Sequence, residues 1–296
     1  MYGAAGRPLA RTRVVLHEVS LGGDGRPIDS TDTDAHGRYT LTIRRPDSTA
    51  LYVVSSWRAG IAYFSEPVAR GAARPALRPL YVYDTSSAGP AVRVTRRLVT
   101  VAKLKRDGSR DVLELLELEN PGVATRIAAD TLRPTWAGAI PAAAIQFQIG
   151  QGDVSARAVT LRGDSVALFG PIPPGERKQL SYTYVLPATA RRVDLPIDQP
   201  IDEVDLLLED TTAVVRAARL DSLGIEDIEG RRFARYRTPA LGAGAPLAIA
   251  FSDRPLGADA VVPYVVAVSA LVLAVGFVVA LRRRPSSVFR SPSPPG

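Results

Sequence analysis

Up to about residue 256 the apolar positions come in short alternating runs. RVVLHEV (13–19), RYTLTI (38–43), ALYVVSSW (50–57) and GIAYF (60–64) are rich in Val, Tyr, Leu and Ile and are separated by Gly, Pro and Asp. Period-two alternation in such residues predicts β-strands. PVARGAARPALRPL (67–80) breaks the rhythm and reads as a loop or linker. The pattern then resumes in LYVYD, AVRVTRRLVTVAKL, DVLELLELEN, AAIQFQIG, SARAVTL and SVALFG, with KRDGSRD, ENPG and RGDS supplying turn chemistry between them. Leu180, Tyr182, Tyr184 and Leu186 alternate cleanly and predict a closing strand of a second sandwich. RRVDLPI, EVDLLLE, AVVRAARL, RRFARYRT and LAIAFS continue as strand-like pieces.

The pattern predicts an all-β chain. We expect one β-sandwich over 1–80 and a second over 81–190. Residues 191–256 form either a smaller β unit or the completion of the second sandwich, because some 60 residues are marginal for a β unit without disulfides.

One run departs from this pattern. Val261 to Leu281 is uncharged and apolar, matching the roughly 20 residues a helix needs to cross a bilayer. It predicts a single transmembrane helix and hence a membrane partner. Pro263 falls in its first turn, where a missing N–H does little harm, and Tyr264 lies at interfacial depth. Arg282, Arg283 and Arg284 follow directly, and basic residues stay on the cytoplasmic side. The expected location is the cell membrane, with the large N-terminal part extracytoplasmic and 282–296 a disordered cytoplasmic tail. That topology calls for a signal peptide, yet MYGAAGRPLARTRVVL has no apolar core. Two expectations follow: a start upstream of Met1, or a tail-anchored protein with its bulk in the cytoplasm.

Charge and composition narrow the partners. Four of the seven excess positive charges are Arg282, Arg283, Arg284 and Arg290. The remainder is a mild excess without a basic block or interleaved aromatics, so no nucleic-acid surface is predicted. There is no cysteine, which excludes disulfides, thiolate metal sites and cysteine nucleophiles.

Candidate chemistry is sparse. Only His17 and His36 are available, neither in a zinc-binding spacing such as H-E-x-x-H, and His17 sits within an alternating strand. Neither G-x-S-x-G nor G-x-x-x-x-G-K occurs. In STDTDAHGRYTL (30–41), Asp32, Asp34 and Gly37 match the first, third and sixth positions of a calcium loop. His36 holds the fifth position and Ile43 stands where the bidentate Glu belongs. The stretch is therefore read as a tight turn in which Asp34 and Gly37 launch a strand through Tyr39 and Leu41. Asp194, Asp198, Asp202, Glu203, Asp205, Glu209 and Asp210 crowd one segment. A solvated strand face is the expectation for them, with a hydrolase carboxylate pair the competing reading. Trp57, Tyr63 and Trp136 are candidates for stacking on a ligand, if exposed. No catalytic, metal or cofactor residue is assigned.

The residues Gly6, Pro8, Leu9, Val14 and Leu16, followed by Thr33, Asp34, Gly37, Tyr39 and Leu41, form a further pattern. Over about residues 3–70 it resembles the carboxypeptidase regulatory-like, transthyretin-like β-sandwich. The resemblance implies a structural or ligand-binding accessory module. The full expectation is then such a module, one or two Ig-like β-sandwich units and a membrane helix. As a whole this is a non-catalytic scaffold or binding protein with an unidentified protein or glycan partner. A carbohydrate-binding cell-envelope protein is the alternative.

Overall fold

The computed structural model describes residues 1–3, 6–20, 25–45, 47, 49–69 and 78–251. Within them the chain is all-β, as the alternation predicts. The strands of the N-terminal part are β1 (Arg13–Val19), β2 (Arg26–Asp32), β3 (Leu51–Arg58), β4 (Ile61–Phe64), β5 (Val68–Ala69) and β6 (Thr85–Ser86). Next come β7 (Arg93–Val101), β8 (Arg110–Glu119), β9 (Thr125–Arg126), β10 (Trp136–Ala139), β11 (Ile145–Ile149), β12 (Val159–Arg162) and β13 (Ser165–Leu168). The last are β14 (Arg177–Leu186), β15 (Arg192–Asp194), β16 (Ile201–Leu208), β17 (Val214–Ala217), β18 (Asp221–Ile228), β19 (Arg231–Leu241) and β20 (Leu247–Ala250). Among the described residues no helix is long and apolar enough to cross a membrane, and the run Val261 to Leu281 lies outside them, as does the tail 282–296.

The chain divides into two compact units. Of the described residues, the first comprises those within Met1–Thr95, Glu117–Ala139 and Asp153–Gln179; the second comprises those within Arg96–Leu116 and Ile140–Gly152 and from Leu180 to Phe251.

The first unit contains an antiparallel sheet in the order β2-β1-β3-β4, with β5 also pairing β3. Alternation sends Val14 and Leu16 of β1, Tyr52 and Val54 of β3 and Tyr63 of β4 to one face, where they form a core with Met1, Ala50, Leu80 and Val82. β2 has no strand-like pattern of its own. Its polar sequence RPIDSTD is held by the ladder to β1, with a register shift between Leu16 and His17. Residues 38–43 show the reverse case. Tyr39, Leu41 and Ile43 pack against the core as their alternation predicts, but the segment forms no strand. Beside the edge strand β2, the Thr42 N–H donates to the Asp29 carboxylate at 2.7 Å instead of to a neighbouring backbone. Alternation thus reported which side chains turn inward and not whether a ladder forms. This unit also holds the sheet β10-β13-β12 and the short parallel pair β6-β9. At the predicted ENPG turn the buried Asn120 amide donates to the carbonyls of Ala124 and Ile172, each at 2.8 Å, and its oxygen accepts from the Gly122 N–H at 2.9 Å.

The second unit is built on the sheet β11-β14-β8-β7-β16-β19-β18 and on a smaller sheet β15-β20-β17. Strands from 191–256 therefore share one sheet with strands from 81–190. β14 is not a closing strand but an interior one, flanked by β11 and β8. Leu180, Tyr182, Tyr184 and Leu186 are all buried, each worth about 1.5–3 kcal/mol of transfer free energy for a fully buried large apolar side chain. β18 carries no strand signature, being exposed along most of its length, and is formed by its hairpin to β19.

Candidate functional site

Three places hold the residues that the sequence singles out as candidates, and the fold adds a fourth.

The turn at 34–37 is local and fully bonded. One oxygen of the Asp34 carboxylate accepts the N–H groups of His36 and Arg38, both at 2.8 Å. The Asp34 N–H donates to Arg38 O at 2.9 Å, and Gly37 N–H to Asp34 O at 3.0 Å. Gly37 has a φ of 72° and fits against backbone so closely that a Cβ would lie 2.4 Å from Met1 O. The Arg38 N–H bond holds the Asp34 carboxyl below its ordinary range, outweighing the little burial it has. That carboxylate oxygen serves the backbone. Among the described residues no three His, Asp or Glu side chains gather as a metal site.

The three aromatic candidates divide. Trp57 on β3 is 65 % exposed, whereas Tyr63 and Trp136 are 4 % and 5 % exposed. The expected exposure of these last two is therefore corrected. Tyr63 points to the opposite face from Trp57 because it pairs with Ser56, one residue away on β3. Its hydroxyl donates to Tyr83 O at 3.0 Å and lies 2.7 Å from Thr125 Oγ1. Burial pushes its phenol up. Phe64, which sequence reasoning did not single out, is 60 % exposed. It pairs with Ser55 while Trp57 pairs with Ala62, so Trp57 and Phe64 share one sheet face at diagonal positions of adjacent strands. Between β1 and β3 on that face, His17 Nε2 and Ser55 Oγ are 2.7 Å apart.

The acidic segment is less solvated than its composition suggests. Asp194 is exposed and paired with Arg192, and Asp198 and Asp202 are exposed. Asp205, Glu209 and Asp210 are buried, a correction to the expected solvated face. Each has an arginine partner. Asp205 on β16 accepts from Arg96 Nε of β7 at 3.0 Å and from Arg237 Nε of β19 at 2.9 Å. Arg235 lies 3.7 Å away. Glu203 shares Arg96 and Arg237 at 3.4 and 3.6 Å. Burial alone would raise the Asp205 carboxyl; hydrogen bonds from Arg96 and Arg237 prevail and hold it below the ordinary range. Glu209 accepts from Arg231 and from the Lys103 N–H, and Asp210 is paired with Arg110 at 3.1 Å.

The fourth place is a polar network inside the second unit. Glu114 on β8 is wholly buried and accepts Arg97 Nε at 2.8 Å and Nη2 at 3.0 Å. It also accepts the hydroxyls of Tyr182 at 3.1 Å and Tyr184 at 2.7 Å. Arg97 Nη1 donates to Pro196 O at 2.6 Å. Burial first, and the Glu114 charge second, push both phenols far up. Strand parity held a signal for this site: Glu114 alternates with Val112, Leu116 and Leu118, and Arg97 with Val99 and Val101, all buried.

No family model and no curated protein matches the chain. A solved structure from Legionella pneumophila, described as a candidate nutrient binding protein, aligns over 57 % of this chain and 71 % of its own length, at 10 % identity and a TM-score of 0.25. That likeness is too slight to carry an argument about function.

Chemically, the Glu114 and Asp205 carboxylates of the second unit are saturated. Four carboxylate hydrogen bonds converge on Glu114, and Asp205 is bracketed by guanidinium groups, an arrangement suited to fixing strands in register. The Trp57 and Phe64 face is the contrasting case, presenting two large apolar rings to solvent.

Proposed function

We propose that the chain is a non-catalytic, single-pass membrane protein whose large N-terminal part stands outside the cytoplasm as a scaffold or binding protein of β-sandwich modules. The carrying observation is the uncharged run Val261 to Leu281 closed by Arg282, Arg283 and Arg284. The saturation of Glu114, Asp205, Glu209 and Asp210 by cationic and phenolic partners supports a structural role for the acids, against a hydrolase pair within 194–210. The 34–37 turn and the five-stranded sheet support reading the front module as transthyretin-like and carboxypeptidase regulatory-like, with Ig-like modules behind it. The test is protease digestion of intact cells expressing the chain with a C-terminal tag. The proposal expects loss of the large N-terminal part with a small tagged fragment protected. Full protection of the N-terminal part would favour the tail-anchored alternative.

A second reading, glycan binding, is favoured by the exposure of Trp57 beside Phe64. Aromatic faces can stack on sugar rings, and a glycan array probed with the parent protein and with Trp57→Ala tests it. Binding that survives the substitution unchanged would remove this reading.

A further inference from the structure

Among the described residues the seven-stranded sheet ends in β11 on one side and β18 on the other. An edge strand offers unpaired backbone groups to any extended chain, and proteins commonly protect such edges with charge and bulges. β18 has both, with Asp221, Glu226 and Asp227 along it and a register shift at Gly224. β11 has no charge at all. Between Arg133 and Asp153 the sequence contains no Asp, Glu, Lys or Arg, although such residues make up 23 % of the chain.

The sequence of β11 is also self-complementary. Ile145-Gln146-Phe147-Gln148-Ile149 reads the same in both directions. A second copy laid antiparallel about Phe147 sets Ile145 against Ile149, each Gln against a Gln, and Phe147 against itself. No like charges meet. Gln146 and Gln148 are exposed, and Ile145 is 47 % exposed. β11 shares the bulge of β18 but not its charge. Its register passes from Ile145 opposite Val185 to Gln148 opposite Thr183, with Gln146 at a φ of 54°, so β11 carries one more residue than β14. Paired about Phe147, each Gln146 stands opposite Gln148 of the other copy, so the two extra residues flank the axis and the paired strands stay equal in length.

We propose that β11 pairs antiparallel with β11 of a second copy of this chain, joining two seven-stranded sheets edge to edge across a two-fold axis near Phe147. A charged substitution at the rim should break this contact without disturbing the fold, since the altered side chain is already in solvent.

The test uses the full chain in detergent micelles. Analytical ultracentrifugation should find a dimer, and Gln148→Lys should weaken it at least tenfold while leaving the circular dichroism spectrum unchanged. Because the chain has no cysteine, pairing can be mapped directly. A mixture of Gln146→Cys and Gln148→Cys chains should form a disulfide-linked dimer in higher yield than either alone, and in higher yield than Leu223→Cys on β18. A monomer at all concentrations, a dimer indifferent to Gln148→Lys, or cross-linking as efficient through Leu223→Cys would overturn the proposal.

Discussion

Glu114 takes both the Nε and the Nη2 of Arg97, at 2.8 and 3.0 Å, with neither side chain open to solvent. The pair bridges strands β7 and β8, and the hydroxyls of Tyr182 and Tyr184 bring in β14. Removing one partner leaves the other charged and buried. Glu114→Met and Arg97→Met should each destabilise the protein by about 3–5 kcal/mol, whereas Tyr184→Phe should cost about 1–3 kcal/mol. Converting Arg97 and Glu114 together to Met should cost less than the two single changes combined. Denaturant titration of the four variants checks this, and additive losses would show that the pair does not act as a unit.

Asp205 sets a pH dependence whose sign is fixed by its arginines. Its folded carboxyl lies below its ordinary value, so the unfolded chain binds the proton more readily. The stability it contributes is fully present above the unfolded value of about 3.9 and is lost as pH falls through the lower folded value. The melting temperature should therefore drop as pH falls below about 4. Asp205→Asn should lower it at neutral pH and flatten the acid slope. An unchanged slope would contradict the ion-pair account.

How far the sequence reveals this architecture differs from element to element. The alternation of Leu180 to Leu186 reports a buried strand because each side chain packs on one face, and β14 forms where expected. β18 is invisible because a strand paired on one side and exposed along most of its length needs no apolar face. RYTLTI shows the opposite failure, since side chains can face the core without their backbone joining a ladder. The acids of 194–210 are conspicuous, but their arginines are not. Arg96 and Asp205 are 109 residues apart, and only the β7-β16 pairing makes them neighbours. Exposure of an aromatic depends on strand parity, which separated Trp57 from Tyr63 once the β3-β4 register was known.

The 34–37 turn makes its own forecast. Gly37→Ala places a Cβ against Met1 O in a left-handed conformation and should cost about 1–3 kcal/mol. Asp34→Ala, which removes an acceptor shared by two N–H groups, should lower the melting temperature. Millimolar calcium should leave the melting temperature of the parent protein unchanged. A calcium-dependent rise that Asp34→Ala abolishes would restore the metal-loop reading.

The two tryptophans should respond in opposite ways. Trp136→Ala empties a buried site and should cost about 3–5 kcal/mol. Trp57→Ala, on the exposed face, should fall within about 0.5 kcal/mol of the parent. Thermal melts of both variants decide it, and a large loss at Trp57 would mean that its face is covered in the native protein.

Topology is the central claim, and the absence of cysteine makes it directly measurable. Single variants Leu132→Cys, at an exposed position of the first unit, and Ser287→Cys, after the arginine run, are treated in intact cells with a membrane-impermeant maleimide. Labelling of Leu132→Cys, with Ser287→Cys reacting only after lysis, is the predicted result. Protection of Leu132→Cys until the membrane is broken would contradict it.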